Sequence, residues 1–325
     1  MKILFIGGTG NISSACTLDA LKNGHEVYHF NRNKQKGEAS ENVITVTGDR
    51  NNIMELRQID KFGPFDVITD FMCFTPDQMQ TSIDCFAGKT SQYIFISSAT
   101  VYKKPPDNYI ITEDCPLENK FWKYAGDKIA CEKLLTSQTK LTYTIVRPSY
   151  TYGKSWLPTG LSAREYNPIY RMRKELPIIV HGDGESLWVM THNTDLASAL
   201  TGLYGNAEAV NNHFHVTSDE VHTWNQLYAI IGKILGIEPK PVYIPSEFIN
   251  RYEPEWGEGL LGDKCRSMVF DNSKIKSVVK NWGAVKTYEE GMRESIAWFE
   301  EKPERMQIDQ ELEAKYEYIL KKYLA

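Results

Sequence analysis

The 325-residue sequence predicts an α/β protein: a doubly wound parallel sheet with a smaller, loop-rich second half. Three observations carry that prediction. Short apolar runs alternate with helix-length segments across the first 150 residues. A glycine-rich turn follows the first run directly. After Pro148 the alternation weakens into stretches rich in Gly, Pro and aromatics.

The elements follow in order. Ile3 to Ile6 is a buried strand, and Ile12 to Asn23 a helix. Val27 to Phe30 and Val43 to Val46 are the next strands, and 52–60 is a short helical segment. Asp66 to Asp70 is a strand, and Asp77 to Phe86 a helix with Pro76 just before it. Tyr93 to Ile96 is a strand, a long helix runs from Trp122 to Ser137, and Tyr143 to Val146 is the last strand of the series. Residues 1–150 thus read as one unit. Residues 151–325 read as a second half interleaved with it, with loops over 149–160, 177–186 and 253–264 and helices near 163–175, 194–204, 223–235 and 287–300. The final stretch, 309–324, repeats apolar residues at Leu312, Tyr316, Ile319 and Tyr323, an amphipathic helix suited to packing or to subunit contact in a homodimer.

Composition narrows the function classes. Hydrophobic residues make up 42% and charged residues 24%, which excludes a disordered chain. Lys+Arg is 37 against Asp+Glu 42, a formal −5, so the chain lacks the basic footprint of a nucleic-acid binder. The six cysteines are scattered without CxxC, which points to free thiols, a reducing compartment and a cytoplasmic protein. No apolar run reaches the roughly 18 residues of a membrane span. His213, His215 and His222 lack companion ligands, so no metal site is expected. His192 and Asp195 stand where a helix begins, with Asn193 or Thr194 as its cap.

The glycine turn carries the first chemistry. Gly7-Gly8-Thr9-Gly10-Asn11-Ile12-Ser13 reads as GxGxxS from Gly8 or GxxGxxS from Gly7, between a strand and a helix. That position suits a dinucleotide pyrophosphate, which needs a bare backbone and the N–H groups of Asn11 and Ile12 at a helix start. The turn therefore specifies a Rossmann-type sheet. About 20 residues on, where a carboxylate would take the ribose 2′-hydroxyl, stand Asn31-Arg32-Asn33-Lys34. Arg32 and Lys34 suit a 2′-phosphate, so NADP(H) is the preferred cofactor, with NAD(H) as the alternative.

A second constellation lies downstream. Ser97-Ser98 ends a strand, and Tyr124 and Lys128 share one face of the long helix at i and i+4. A nearby ammonium, helped by the positive charge of an oxidised nicotinamide, is expected to lower the tyrosine pKa from about 10 and make it a usable acid–base group. Ser98 would hold the substrate oxygen, and Lys128 would also grip the nicotinamide ribose.

At these residues the chain resembles the extended short-chain dehydrogenase/reductases, the group that includes nucleotide-sugar epimerases and dehydratases. Gly7-Gly8-Thr9-Gly10 is similar to the family's cofactor loop, and Ser97 to Tyr102 to its serine motif. Thr112-Glu113-Asp114-Cys115-Pro116-Leu117, Arg147-Pro148, Tyr152-Gly153, Gly182-Asp183-Gly184 and Asp195-Leu196-Ala197 match further stretches. Phe270 to Lys274 is similar to a branch related to chloroplast stem-loop-binding proteins. The resemblance implies Ser98, Tyr124 and Lys128 as the catalytic set and Asp49 as an adenine contact. It implies hydride transfer at a hydroxyl or ketone of a sugar-like small molecule. Ala99-Thr100 replaces the Asp-Glu pair of many dehydratases, which lowers dehydration among the reactions. Thr100 and Trp188 are expected on the substrate side. Trp188 stands where nucleotide-sugar enzymes carry a diphosphate-binding arginine, so UDP- and dTDP-sugars are not expected as substrates. The rival reading is a cofactor-binding RNA-binding or regulatory protein on the same fold.

Overall fold

A computed structural model describes residues 1–33, 40–162 and 164–325. Seven parallel strands form the central sheet. From one edge they are Asn212–Val216, Tyr143–Pro148, Thr90–Ile96, Phe65–Asp70, Lys2–Ile6, Glu26–Asn31 and Ile44–Thr47. The first strand pairs on both sides, with Ile3 opposite Val27 and Val67. Its Ile3–Ile6 run is wholly apolar because both faces of the strand are covered there.

Alternation along that strand divides the core. Ile3 and Phe5 pack with Ala15, Cys16 and Ala20 of helix Asn11–Lys22 and with Leu196 and Leu200 of helix Asn193–Leu203. Leu4 and Ile6 face the other layer, with Met79 and Ile83 of helix Pro76–Phe86 and Cys131 and Leu135 of helix Lys123–Thr136. Thr75 begins the third of these helices with a capping box to Gln78, and Pro76 is its first residue rather than its herald. Strand order reverses between the first and fourth strands of the chain, so a crevice opens there at the strands' carboxyl ends.

The second half differs from the expectation in three ways. Asn212–Val216 joins the central sheet beside Tyr143–Pro148, so Tyr143 to Val146 is not the last strand. The stretches expected as loops hold strands Tyr150–Tyr152 and Ile178–His181, helix Pro254–Gly259 and a π-turn at Leu260–Lys264. The helix at Asn193–Leu203 is capped by the His192 side chain, which accepts from the Thr194 N–H.

Helix Gln310–Leu324 packs Leu312, Tyr316, Ile319 and Leu320 against Ile179, Ile244, Ile249 and Leu260. Tyr323, expected on that face, is 39% exposed. The buried Arg171 guanidinium ties the helix down through Glu313 and Glu317. No helix among the described residues is long and apolar enough to cross a membrane.

Candidate active site

A cleft of about 930 Å³ lies along the carboxyl ends of the central strands. Its floor is the glycine turn. Gly7 and Gly8 adopt φ +91° and +155°, a region that disfavours any side chain. A Cβ on Gly8 would stand 2.5 Å from the His29 ring, so only glycine lets the turn lie this low. His29 is itself fixed by a 2.8 Å hydrogen bond to Thr17, and burial lowers its pKa to about 4, leaving it neutral. Ser13 accepts the Gly10 N–H, and the Asn11 amide donates to the Thr151 carbonyl of the second half. Helix Asn11–Lys22 therefore opens towards the cleft with unpaired N–H groups and a favourable dipole. These features fit a dinucleotide pyrophosphate.

Asn31, Arg32 and Asp49 line the same cleft. Lys34 lies outside the described residues. Asp49 accepts the Asn51 N–H at 2.8 Å, so one of its oxygens is committed to the local turn. Its neighbour Arg50 was not singled out in the sequence, yet it also lines the cleft. Arg50 is buried against Asp70 at 2.7 Å and also donates to Ser82 and the Met72 carbonyl. An arginine in a polar tetrapeptide gives no local sign that it turns inward.

Ser98, Tyr124 and Lys128 come together at the deep end of the cleft. Ser98 caps a short 3₁₀ turn, accepting from the Thr100 N–H and hydroxyl at 3.2 and 3.0 Å. Lys128 donates to the carbonyls of Cys73 and Ile96 at 2.7 and 2.8 Å. Phe74 and Phe95 rings lie 4.8 Å from its ammonium. Burial lowers Lys128 from 10.5 to about 8. Burial also raises Tyr124 to about 12, outweighing the opposite influence of the nearby Ser98 hydroxyl. Lys128 by itself does not lower it: its ammonium sits 5.8 Å from the Tyr124 ring and is spent on two carbonyls. Tyr124 is therefore a protonated phenol at neutral pH.

A buried network braces this end. Glu132 accepts from Ser97 at 2.6 Å and from Arg147 at 2.6 and 3.0 Å. Arg147 reaches Tyr102, whose hydroxyl meets His215. His215 is thus part of the scaffold, and burial lowers its pKa to about 4.

The substrate side needs a correction. Thr100 lines the cleft, but Trp188 does not. Trp188 is 1% exposed and packs 5.7 Å from Trp224 inside the second-half core, because its strand turns that side chain inward. The expectation against UDP- and dTDP-sugars rested on Trp188 and loses its basis. Trp122, Trp156, Arg164 and Lys264 are the groups found there instead.

The parallel sheet, the glycine turn and the Ser–Tyr–Lys set resemble those of the extended short-chain dehydrogenase/reductases. More particularly, residues 79–216 match the model of the NAD dependent epimerase/dehydratase family. It is similar to the 41 kDa chloroplast stem-loop binding protein b of Arabidopsis thaliana, 29% identical over 76% of this chain and 67% of that one. In fold it is similar to an epimerase from Methanothermobacter thermautotrophicus, with TM-score 0.76 and 17% identity over 94% of each chain. It also resembles the dTDP-glucose 4,6-dehydratase of Bacillus anthracis, crystallised with NAD: TM-score 0.73, 19% identity, 94% of this chain and 98% of that one.

Proposed function

We propose that this protein is an NAD(P)-dependent oxidoreductase or epimerase acting on a hydroxyl or ketone of a sugar-like small molecule. One observation carries the reading: Ser98, Tyr124 and Lys128 line the same cleft as the glycine turn. Gly7, Gly8 and Gly10 with the N–H groups of Asn11 and Ile12 would hold the pyrophosphate, Asn31, Arg32 and Asp49 the adenosine end, and Lys128 the nicotinamide ribose. The nicotinamide, when bound, supplies hydride exchange at the substrate carbon. Tyr124, protonated at neutral pH, donates its proton to the substrate oxygen in the reducing direction and recovers it in the other. Ser98 orients that oxygen. Arg32, exposed at the end of its strand where no acid stands, favours a 2′-phosphate and hence NADP(H); the NAD in the dehydratase crystal keeps NAD(H) as the alternative.

Calorimetric titration with NADPH and NADH tests the cofactor half, and tighter NADH binding would reverse the preference. Tyr124→Phe tests the chemistry. It should leave cofactor affinity within about twofold and lower turnover by roughly 10²–10⁴. Near wild-type turnover would remove Tyr124 from the mechanism. A second reading, recognition of structured RNA, is favoured by the name of the plant relative and opposed by the net −5. A gel shift with an RNA hairpin at physiological salt distinguishes it.

A further inference from the structure

We propose that Lys264 binds an oxyanion of the substrate, a carboxylate or a phosphate, close to the carbon on which Tyr124 acts. This rests on the oxidoreductase reading of the cleft and names the kind of substrate it takes.

Lys264 ends the π-turn at Leu260–Lys264 and lines the cleft together with Trp122 and Tyr150. Its ammonium lies 5.7 Å from the Trp122 ring centre and 5.3 Å from that of Tyr150. Trp122 stands 5.1 Å from the Tyr124 ring, so the ammonium lies within about 11 Å of that ring. Among the described residues Lys264 forms no ion pair. The adjacent Asp263 carboxylate is already matched by the fully buried Lys104 ammonium at 3.2 Å. A half-buried cation seated on aromatic faces, whose neighbouring carboxylate is already paired with Lys104, lacks a full counter-ion. Burial accordingly lowers its pKa from the ordinary value. An incoming oxyanion would supply the missing partner.

The surrounding structure holds Lys264 in place from behind. Its carbonyl accepts three hydrogen bonds, from His181 Nε2 at 3.1 Å, Trp224 Nε1 at 3.2 Å and Ser186 Oγ at 3.3 Å. His181 is neutral, its pKa lowered by burial to about 4, which fits a single N–H spent on that carbonyl. The Asn119 amide then spans the two halves of the site, donating to Gly262 at 2.7 Å and to the Thr100 carbonyl at 2.9 Å. Lys264 and the Ser98–Thr100 turn are thus fixed at one spacing. A charged hydrogen bond there selects acids over neutral analogues by about tenfold or more.

The test titrates NAD-loaded protein with glucose, glucuronate and glucose 6-phosphate, read by tryptophan fluorescence. At least one acid should bind about tenfold or more tighter than glucose. Lys264→Met should abolish that preference, and Lys264→Arg should retain it. Which acid wins separates carboxylate from phosphate. Equal binding of all three, no saturable binding of either acid, or an unchanged preference in Lys264→Met overturns the proposal. NAD affinity, measured on the same proteins, should be unchanged by either variant. Failure of the wild type to bind NAD or NADPH would defeat the oxidoreductase reading, while a Lys264-dependent acid preference would still support the anion site.

Discussion

Lys128 offers the sharpest check on the electrostatics of the site. In the fold its ammonium is buried, and its pKa falls from 10.5 to about 8. That fall corresponds to about 3.4 kcal/mol of destabilisation when the group is charged in both states. The sign is that of a depressed lysine: the penalty is nearly full below pH 8 and is relieved as pH rises towards 10.5. Between pH 7 and roughly 10 the relief amounts to about 2.5 kcal/mol. Lys128→Met lacks this slope, and the other titrating groups are common to both proteins apart from the smaller influence of Lys128 on the Cys131 thiol. At neutral pH the variant sheds the penalty but leaves the Cys73 and Ile96 carbonyls without their donor, about 1–3 kcal/mol each, so the two effects largely offset. Urea unfolding of cofactor-free wild type and variant at both pH values reads the difference. The wild type should gain about 2.5 kcal/mol on the variant at the higher pH. A gap constant to within about 0.5 kcal/mol would refute a depressed Lys128.

Two more perturbations test the frame around the site. Gly8→Ala forces a side chain into a positive-φ position and against the pinned His29 ring, so it should cost roughly 2–5 kcal/mol and weaken NAD binding at least tenfold, read by thermal melting and calorimetry. Unaltered melting and affinity would mean that the turn and His29 can part to admit a methyl group. Glu132→Ala strands the buried Arg147 charge and should cost about 3–5 kcal/mol in urea unfolding, much of it recovered in Glu132→Leu/Arg147→Met. A mild single variant would show that the pair is not shielded from water.

Much of the fold was legible because strands covered on both faces leave an unbroken apolar run, as at Ile3–Ile6 and Tyr93–Ile96. Element ends moved by a residue or two where capping decided them, as with Pro76. The seventh strand was a different problem. Asn212–Val216 is an edge strand with His213 and His215 alternating with Phe214 and Val216, so its pattern marks a strand but not its neighbour. Pairing with Tyr143–Pro148 depends on helices and turns that intervene in the chain.

At the site, residues named through backbone geometry or helix spacing were found together. Gly7, Gly8 and Gly10 are set by the turn they make, and Tyr124 and Lys128 by a helical i, i+4 relation. Trp188 is set by its distance in sequence from Gly182-Asp183-Gly184, and that distance cannot tell which side of a strand a residue faces. One step of register exchanges cleft for core, and Trp188 faces Trp224. Lys264 is the converse case. Its backbone is held by His181, Ser186 and Trp224, and its turn is tied by Asn119 to Thr100, four partners scattered from residue 119 to residue 224. No local window contains that arrangement. The charge offered to a substrate therefore comes from a part of the chain that no short motif marks, and the aromatic residue that seemed to replace it serves the core.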